Sequence, residues 1–341
     1  MQDFTDISYA EFKKRRPPWT LRFRRNVEYR LFRFGLFLGR TLSLPQLQRL
    51  GKGLGQFAYW ILRKDRGIVE KQLEMLFPEI SLEQRTIWTK NCFYHFGQGL
   101  LEFFAMEQLI RNVDQHIFPE NPEVLDKAIA EGKGVILLAM HLGNWELIAP
   151  YLVKKQYPTV AVTTNYPESR INQLLREMRE SPTVRLIPRG DPKTPLTILR
   201  CFKNKEIFLL AVDQDTNVPS IFVPFFGIPA KTPTGASSLA LRSGAVIVLH
   251  AFVRQPNGTF RLVFERIGSF QTTKKPTDEE VYQVSLKVNQ DMEAMIRRYP
   301  EQWAWFHRRW RHRPSEEELR FLKFMQTRSF NQDSLCKDNL P

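Results

Sequence analysis

The chain has 341 residues, 43% of them hydrophobic, so it can bury a substantial core in one large domain or two small ones. Lys and Arg outnumber Asp and Glu by 50 to 36, and the net charge of +14 favours an anionic partner: nucleic acid, anionic lipid or an acidic carrier protein. Three cysteines without a CxxC spacing, Cys92, Cys201 and Cys336, argue against a disulfide scaffold and indicate a reducing compartment.

The N-terminal part begins with a basic lead-in over residues 1–20 and continues with a helical pattern from about 22 to 112. We expect no cleavable secretory signal here. Residues 31–44 are rich in Leu and Phe, but arginines interrupt them, so we expect no clean transmembrane helix. Leu31, Phe34, Leu38 and Leu42 recur at helical spacing and predict a helix lying in a membrane interface. The alternative is a helix packed on the protein's own core. Five arginines could meet lipid headgroups: Arg22, Arg24, Arg25, Arg30 and Arg33.

A second helix in this part should begin at the capping-box sequence 81-SLEQ-84. Near one face it carries Trp88, Cys92, Phe96, Leu100 and Phe103. Such a stripe is more typical of a core than of a binding surface.

After Pro119 the pattern alternates between strands and helices. Strands are predicted over 135–140, 159–164, 183–188, 206–212, 245–253 and 259–266, and helices over 123–134, 169–180, 193–204, 232–243 and 278–298. This alternation predicts an α/β fold with a mixed, largely parallel sheet flanked by helices. We expect an N-terminal membrane-associating region over 1–112, a catalytic domain over 113–325 and a polar tail over 326–341.

The most informative turn follows the strand predicted at 135–140 and reads 141-HLGNWE-146. On one continuous helix the side chains of His141 and Glu146 would diverge, but across a strand–turn–helix junction they can approach. A carboxylate bonded to one ring nitrogen leaves the other as a general base. The alternative is an ordinary polar turn with a structural histidine.

Two further strands also run into polar residues. Asp213 and Asp215 follow the strand at 206–212, and they are either site residues or turn-forming aspartates. A metal role lacks further ligands at a suitable spacing. Arg189 follows the strand at 183–188 and is either an anion-binding side chain or a surface arginine.

Two aromatic segments complete the candidates. Residues 222–235, FVPFFGIPAKTPTG, either line an acyl-chain pocket or form a buried irregular segment. Residues 299–314, YPEQWAWFHRRWRHRP, offer phosphate-binding arginines beside interfacial aromatics, or a tryptophan core with a basic flank. Arg308 and Arg309 are the candidates that we single out there. The common nucleotide, serine-hydrolase and zinc-protease motifs are absent from the sequence.

Four blocks in order resemble the lipid A late acyltransferases, the lauroyl/myristoyl transferases of Gram-negative inner membranes, which have a glycerolipid acyltransferase-like fold. They are 72-QLEMLFPEIS-81, 134-GVILLAMHLGNWEL-147, 213-DQD-215 with 222-FVPFFGIPAKTPTGASSLALRSGA-245, and 300-PEQWAWFHRRWRHRP-314. The second block resembles the family's His-x4-Asp/Glu motif.

The resemblance implies transfer of a fatty acyl chain from an acyl carrier protein thioester to a hydroxyl of a phosphorylated glucosamine lipid. It implies His141 as general base, Glu146 as its orienting carboxylate, and Arg189 and Asp215 as supporting residues. Asp213, Asn144, Arg308 and Arg309 are further supporting candidates. No metal or organic cofactor is required, because the thioester supplies the leaving group. The implied location is the cytoplasmic face of the inner membrane, beside anionic lipid.

Two alternatives remain open from the sequence. A related acyltransferase could use acyl-CoA and another acceptor, such as a phosphatidylinositol mannoside or a lysophospholipid. A non-catalytic protein could instead bind RNA or DNA through the basic cluster at 303–313, although nucleic acid is not the partner we expect.

Overall fold

The computed structural model describes residues 19–327; the basic lead-in up to residue 18 and the tail from residue 328, including Cys336, lie outside the described residues. Helices are numbered from the first one described. They are α1 (Trp19–Thr41), α2 (Leu44–Ile61), α3 (Arg63–Leu76), α4 (Leu82–Phe104), α5 (Met106–Arg111), α6 (Val113–His116), α7 (Glu123–Ala130), α8 (Ile148–Lys155), α9 (Ser169–Arg179), α10 (Thr194–Lys203), α11 (Gly235–Ser243), α12 (Asp278–Arg298) and α13 (Glu316–Thr327).

Seven strands form the central sheet in the order β1-β9-β8-β2-β5-β3-β4. They are β1 (Ile117–Glu120), β2 (Val135–Gly143), β3 (Thr159–Thr163), β4 (Val184–Pro188), β5 (Ile207–Ala211), β8 (Val246–Arg254) and β9 (Phe260–Gly268). Strands β8, β2, β5, β3 and β4 are parallel, whereas β9 runs antiparallel to β8 and β1 runs parallel to β9. The prediction of a mixed, largely parallel α/β sheet is confirmed.

Each predicted strand and helix after residue 119 is present, with ends that differ by a few residues. No ranges were predicted for helices α8 and α13, and two features of the strands were also not predicted. Strand β1 is a four-residue edge strand, too short to show alternation. Residues 222–235 were expected to be irregular or to line a pocket, but most of them belong to an antiparallel hairpin of β6 (Ser220–Phe225) and β7 (Ile228–Pro233).

The sheet is buried on both faces, as expected for parallel strands. Val135 and Leu137 pack in one cluster with Leu101 of α4 and Ile148 of α8. The alternate residues, among them Leu138, pack in a second cluster with helices α11 and α12 and the tryptophans of the closing block. Because successive side chains of a strand point to opposite faces, these two clusters lie on opposite sides of the sheet.

Helices α2 and α4 pack unusually closely because glycines line their contact. A Cβ on Gly97 would lie 2.3 Å from the carbonyl oxygen of Gly51, and one on Gly55 would lie 2.2 Å from that of Phe93. Small residues spaced in this way let two helix backbones approach each other. The glycines therefore fix how α4 lies against α2.

Helix α1 packs on α4 through Gly35 and Gly39, both buried. The predicted apolar stripe of α1 is divided between two environments. Leu31 and Phe34 are exposed (63% and 57%), whereas Leu38 and Leu42 pack against the core. The core alternative is therefore confirmed for Leu38 and Leu42 at the end of the stripe, whereas the exposed first part stays a predicted membrane-interface segment. Within residues 19–327, every helix is too short or too polar to cross a membrane.

The stripe predicted on α4 is also divided. Cys92 and Phe103 are buried, but Phe96 and Leu100 are about half exposed, at 52% and 48%. The prediction that this stripe is simply core was therefore wrong for its middle turn. At the start of α4 the hydroxyl of Ser81 accepts from the backbone N–H of Gln84 at 3.1 Å, and Thr277 and Glu280 form the full capping box of α12.

Replacing Gly97 with Ala should lower the free energy of unfolding by about 1–3 kcal/mol, because the added methyl group has no room between α4 and α2. Urea denaturation followed by circular dichroism measures the change. Gly53→Ala on the outer side of α2 is the matched control, since a Cβ there meets nothing within 4 Å and should stabilise the helix by about 0.5–1 kcal/mol. Equal stability of the two variants would contradict the close-packing explanation.

Candidate active site

The candidate residues collect where the parallel strands end. His141 lies near the end of β2, and Asp213 and Asp215 follow β5, the neighbouring strand. The closing block runs beside them: Leu142 forms an isolated bridge with Trp303, and the backbone N–H of Ala304 donates to the carbonyl of His141 at 2.8 Å. Carboxyl ends of strands in open α/β sheets are the usual position of a functional site.

Gly143 is required by the turn between His141 and Glu146. Its φ is +63°, which favours glycine, and an added Cβ would lie 1.6 Å from the carbonyl oxygen of Phe252 on β8. The turn can therefore follow β2 closely only because this position has no side chain.

The imidazole of His141 is held by Asp213. Nδ1 of His141 lies 2.8 Å from Oδ1 of the carboxylate, and the backbone N–H of His141 donates to Oδ2 at 2.7 Å. The indole N–H of Trp303 also donates to Oδ2, at 2.9 Å. Because the carboxylate accepts from Nδ1–H, the lone pair of the neutral ring is on Nε2.

Burial and charge act in opposite directions on this pair. Burial alone would lower the pKa of His141, but the charge of Asp213, its hydrogen bond and the charge of Glu146 together raise it above 6.5. Burial would raise the pKa of Asp213, but the charge and hydrogen bonds of His141 and the Trp303 indole lower it to about 2. Asp213 is therefore ionised at neutral pH.

The predicted contact between His141 and Glu146 was wrong. Glu146 forms a bidentate ion pair with Arg179 at the end of α9, with Nε–Oε2 at 2.9 Å and Nη2–Oε1 at 2.6 Å. The 3₁₀ turn Trp145–Leu147 places Trp145, rather than Glu146, against the histidine, with ring centroids 4.7 Å apart. Glu146 acts on His141 through its charge, and the carboxylate that orients the ring is Asp213.

Asn144 lies in the same turn, is buried, and is held by a hydrogen bond to a residue of the core. Its side-chain N–H donates to Glu102 at 2.8 Å, and Glu102 is fully buried in an ion pair with Arg254 of β8. Gln48 of α2 donates to the same carboxylate at 2.8 Å. A buried ion pair is costly to break, so this network holds the turn in one position.

Asp215 organises a second pair of histidines. Its carboxylate lies 2.7 Å from Nδ1 of His312, and its backbone N–H donates to Nε2 of His307 at 2.8 Å. Since a backbone amide can only donate, Nε2 of His307 is unprotonated and the neutral ring carries its proton on Nδ1. Burial is the main influence that lowers the pKa of His307, and the charges of Arg309 and His141 act in the same direction.

The predicted arginines have different surroundings. Arg309 is fully buried, donates to the carbonyl of Lys231 at 2.6 Å and to Thr232 at 2.8 Å, and lies over the ring of Phe225. The prediction of Arg309 as a substrate-binding residue is therefore corrected: it joins the closing block to the β6–β7 hairpin. Arg308 and Arg189 are exposed, and within residues 19–327 their side chains have no hydrogen-bond or ion-pair partner. Arg189 follows β4, which is three strands from β2 in the sheet. It therefore lies apart from His141.

The aromatics of the closing block are mostly core residues. Trp303, Trp305 and Trp310 are 2%, 0% and 6% exposed and pack with Phe225 and Phe226 of the hairpin. Buried indoles cannot stack on nucleic-acid bases. This cluster therefore does not support the nucleic-acid alternative.

A pocket of about 210 Å³ opens beside the turn. The turn contributes Gly143, Asn144, Trp145 and Glu146 to its lining, and the polar groups among them are Asn144 and the Glu146–Arg179 pair. Its apolar side comprises Phe96, Leu100 and Phe103 of α4 and Leu175 of α9. His95 also lines the pocket. Its pKa is lowered to about 3, mainly by burial and also by the charges of Arg254 and Lys52, so its side chain is neutral. The pocket thus suits a ligand with a polar head and an apolar tail.

Comparison with known proteins places this site in a family. The family model for bacterial lipid A biosynthesis acyltransferases matches residues 19–312. This range contains all the described strands, the pocket, and His141, His307 and His312 with their aspartates. The chain belongs to this family. It is therefore an acyltransferase, as the sequence predicted.

Curated members of the lipid A acyltransferase family are similar along most of their length. The lipid A biosynthesis lauroyltransferase of Escherichia coli K12 is 28% identical over 293 residues, covering 84% of this chain and 92% of its own. The palmitoleoyltransferase of the same strain is 29% identical over 298 residues, with the same coverage. A phosphatidylinositol mannoside acyltransferase of Mycobacterium tuberculosis is 29% identical over 126 residues, covering 36% of this chain and 40% of its own.

In this acyltransferase, sequence reasoning missed four residues of the candidate site: Arg179, Trp303, His307 and His312. Arg179 is one of several charged residues at the end of a helix, and no local pattern distinguishes it. The other three belong to a block that we had singled out for its arginines. The useful signal there was the alternation of indole and imidazole, which can donate to carboxylates, rather than the positive charge.

We expect the pKa of His141 to lie above 6.5, and Asp213→Asn to lower it below that value, because the ring stays buried but loses its anionic partner. A pH titration of ¹⁵N-labelled histidine followed by NMR measures the pKa. The same spectra should show His141 and His307 protonated on Nδ1 in their neutral forms. An unchanged pKa in the Asp213→Asn variant would contradict the assigned pair.

Proposed function

We propose that this protein transfers a fatty acyl chain from an acyl carrier protein thioester to a hydroxyl of a lipid A precursor, with His141 as the general base. The observation that carries the proposal is the Asp213–His141 pair beside a pocket with one polar and one apolar side. The lipid A relatives match along nearly their whole length, whereas the mannoside acyltransferase matches over 40% of its own. A lipid A-type acceptor is therefore favoured over a mannoside.

The chemistry follows from the orientation of the imidazole. Nδ1 is occupied by Asp213, so Nε2 takes the proton of the acceptor hydroxyl as its oxygen attacks the thioester carbonyl. The tetrahedral intermediate then collapses: the C–S bond breaks, and the proton on Nε2 passes to the departing thiol sulfur. Asp213 stays ionised and stabilises the imidazolium between these steps, as the carboxylate of a Ser-His-Asp triad does.

The Glu146–Arg179 pair supports the reaction from the pocket wall. Two of the three guanidinium nitrogens of Arg179 bind Glu146, which leaves Nη1 for an anionic group of the substrate. Arginine is well suited to phosphate, and the acceptor that we propose is phosphorylated. His307, with its proton on Nδ1, is a neutral donor held beside Asp215.

We further propose that the N-terminal helical region to residue 112 holds the enzyme on the cytoplasmic face of the inner membrane. Its exposed large apolar side chains include Trp19, Phe23, Leu31, Phe34, Phe37, Leu50, Leu54, Phe57, Trp60, Phe96 and Leu100. Exposed arginines flank them on α1 and would meet anionic headgroups. Phe96 and Leu100 also line the pocket, so an acyl chain could enter it from the lipid side.

His141→Ala should lower the transfer rate by at least about 10²–10⁴-fold, because it removes the base. Asp213→Asn should have a similar effect, and both variants should keep the native circular dichroism spectrum. In the wild type the rate should rise with pH through the raised pKa of His141, since only the unprotonated ring accepts a proton. The assay uses acyl carrier protein loaded with a lauroyl chain and a purified lipid A precursor.

His116→Ala is the matched control, because this half-buried histidine lies beside β1 at the far edge of the sheet. It should retain full activity. Full activity of His141→Ala would disprove the mechanism, and efficient transfer only to a different lipid would disprove the acceptor.

Phe34→Ser and Phe37→Ser should each weaken binding to vesicles containing anionic lipid by about tenfold or more, because each removes an apolar ring from the exposed side of α1. Flotation of the protein with vesicles measures the partition. Phe118→Ser on β1 is the control, since Phe118 is 50% exposed but lies apart from this face. A loss of binding as large in the control would show that general hydrophobicity, and not this face, drives the partition.

A further inference from the structure

Helix α10 (Thr194–Lys203) has an exposed face with an unusual composition. Ile198, Cys201 and Phe202 pack on the sheet, with Val160 of β3 and Phe208 of β5. The opposite face presents two apolar and two cationic residues at the spacing of successive helical turns. These are Leu196, Leu199, Arg200 and Lys203, and Lys193 immediately precedes the helix.

Both leucines on this face are at least half exposed to solvent, although leucine side chains are usually buried. Leu196 is 51% exposed and Leu199 is 67% exposed. Each forgoes the free energy that burial of an aliphatic side chain would supply. Apolar residues that are close together on a surface and surrounded by polar ones mark an interaction site.

The cations on this face are also uncompensated. Within residues 19–327, Lys193, Arg200 and Lys203 form no ion pair, although all three are exposed. Cations nearby behave differently: Arg176 is paired with Glu180, and Arg185 with Glu206. The α10 face thus combines unpaired positive charge with apolar contact area, and its complement is an acidic surface with apolar residues.

The position of α10 favours a soluble partner over the bilayer. Helix α1 packs through Leu38 on the cluster that contains Ile207, whereas α10 packs on the cluster that contains Phe208. Adjacent residues of β5 point to opposite faces of the sheet, so α1 and α10 lie on opposite sides. A surface that binds α10 is therefore not the one that meets the exposed face of α1.

The first turn of α10, unlike its last, lies near the end of the sheet that carries His141. It begins just beyond the end of β4, at the same edge of the sheet as His141 on β2. The strand order β2-β5-β3-β4 separates these strands by three inter-strand spacings, about 14 Å in total. A thioester on the flexible arm of a protein docked on α10 has to cover at least this lateral distance to reach His141.

We propose that the exposed face of α10 is the docking surface for the acidic carrier protein that delivers the acyl thioester. The inference rests on the proposed function, because it names the surface through which that donor is recognised. Lys193, Arg200 and Lys203 supply charge complementarity, which accelerates association and selects the partner. Leu196 and Leu199 supply the apolar contact.

The decisive experiment compares two donors that carry the same acyl chain. One is lauroyl acyl carrier protein, and the other is lauroyl-pantetheine, which has the arm but no protein. In the Arg200→Glu/Lys203→Glu variant, we expect kcat/KM for the carrier donor to fall by about 10–100-fold, mainly through KM, because like charges now oppose docking. The value for lauroyl-pantetheine should be unchanged. Leu196→Ser/Leu199→Ser should likewise affect only the carrier donor.

The matched control is Lys127→Glu/Lys323→Glu, which makes the same charge change at two exposed lysines that have no ion-pair partner within the described residues. It should leave both donors unaffected. Direct binding of lauroyl acyl carrier protein, measured by fluorescence anisotropy, should weaken in the α10 variants alone and should weaken for the wild type as salt increases.

Each outcome is informative. Equal loss with both donors would show that α10 serves the chemistry or the fold, and would overturn the docking surface. Unchanged carrier binding, or weakened vesicle binding in its place, would also overturn it. Carrier binding that depends on α10, in a protein that transfers no acyl chain from either donor, would refute the proposed function while supporting the docking surface.

Discussion

The arrangement of the site depends on one buried carboxylate. Asp213 accepts from the backbone and the ring of His141 and from the indole of Trp303, so it joins β2, the loop after β5 and the closing block at one point. An ion with no solvent contact is tolerated only when its oxygens are saturated by donors. The requirement to satisfy Asp213 therefore fixes the direction of the imidazole more firmly than the turn alone could.

The same loop constrains a second part of the site. Asp215 is two residues from Asp213 and binds His307 and His312, so one short segment orders three imidazoles. On the other side of His141, the Glu102–Arg254 pair holds Asn144 from within the core. The turn between His141 and Glu146 is thus fixed from two directions, by buried ions that belong to different elements.

Much of the fold was predictable because its signals are local. The first six residues of β2 and the first four of β8 are continuous apolar runs, and the capping box at Thr277 marks the start of α12. The partner of His141 was not predictable in this way. Glu146 was favoured because it is five residues away, whereas the true partner, Asp213, is 72 residues away and meets the histidine only because β5 lies beside β2. Sequence spacing indicates which residues can be near each other, but strand order decides which of them are bonded.

The hydrogen bond from the Trp303 indole to Asp213 has a consequence for the biosynthesis of the protein. The ribosome makes the chain from its N-terminus, so α1 and α2 emerge long before the segment that completes the environment of Asp213. Until residue 303 has left the ribosome the carboxylate lacks its indole donor, and until residue 312 has left it Asp215 lacks its imidazole partner. A nascent chain can therefore present the exposed apolar side chains of α1 and α2 before the hydrogen bonds of Asp213 and Asp215 are complete. Incomplete chains released early would carry those apolar surfaces without the means to catalyse transfer.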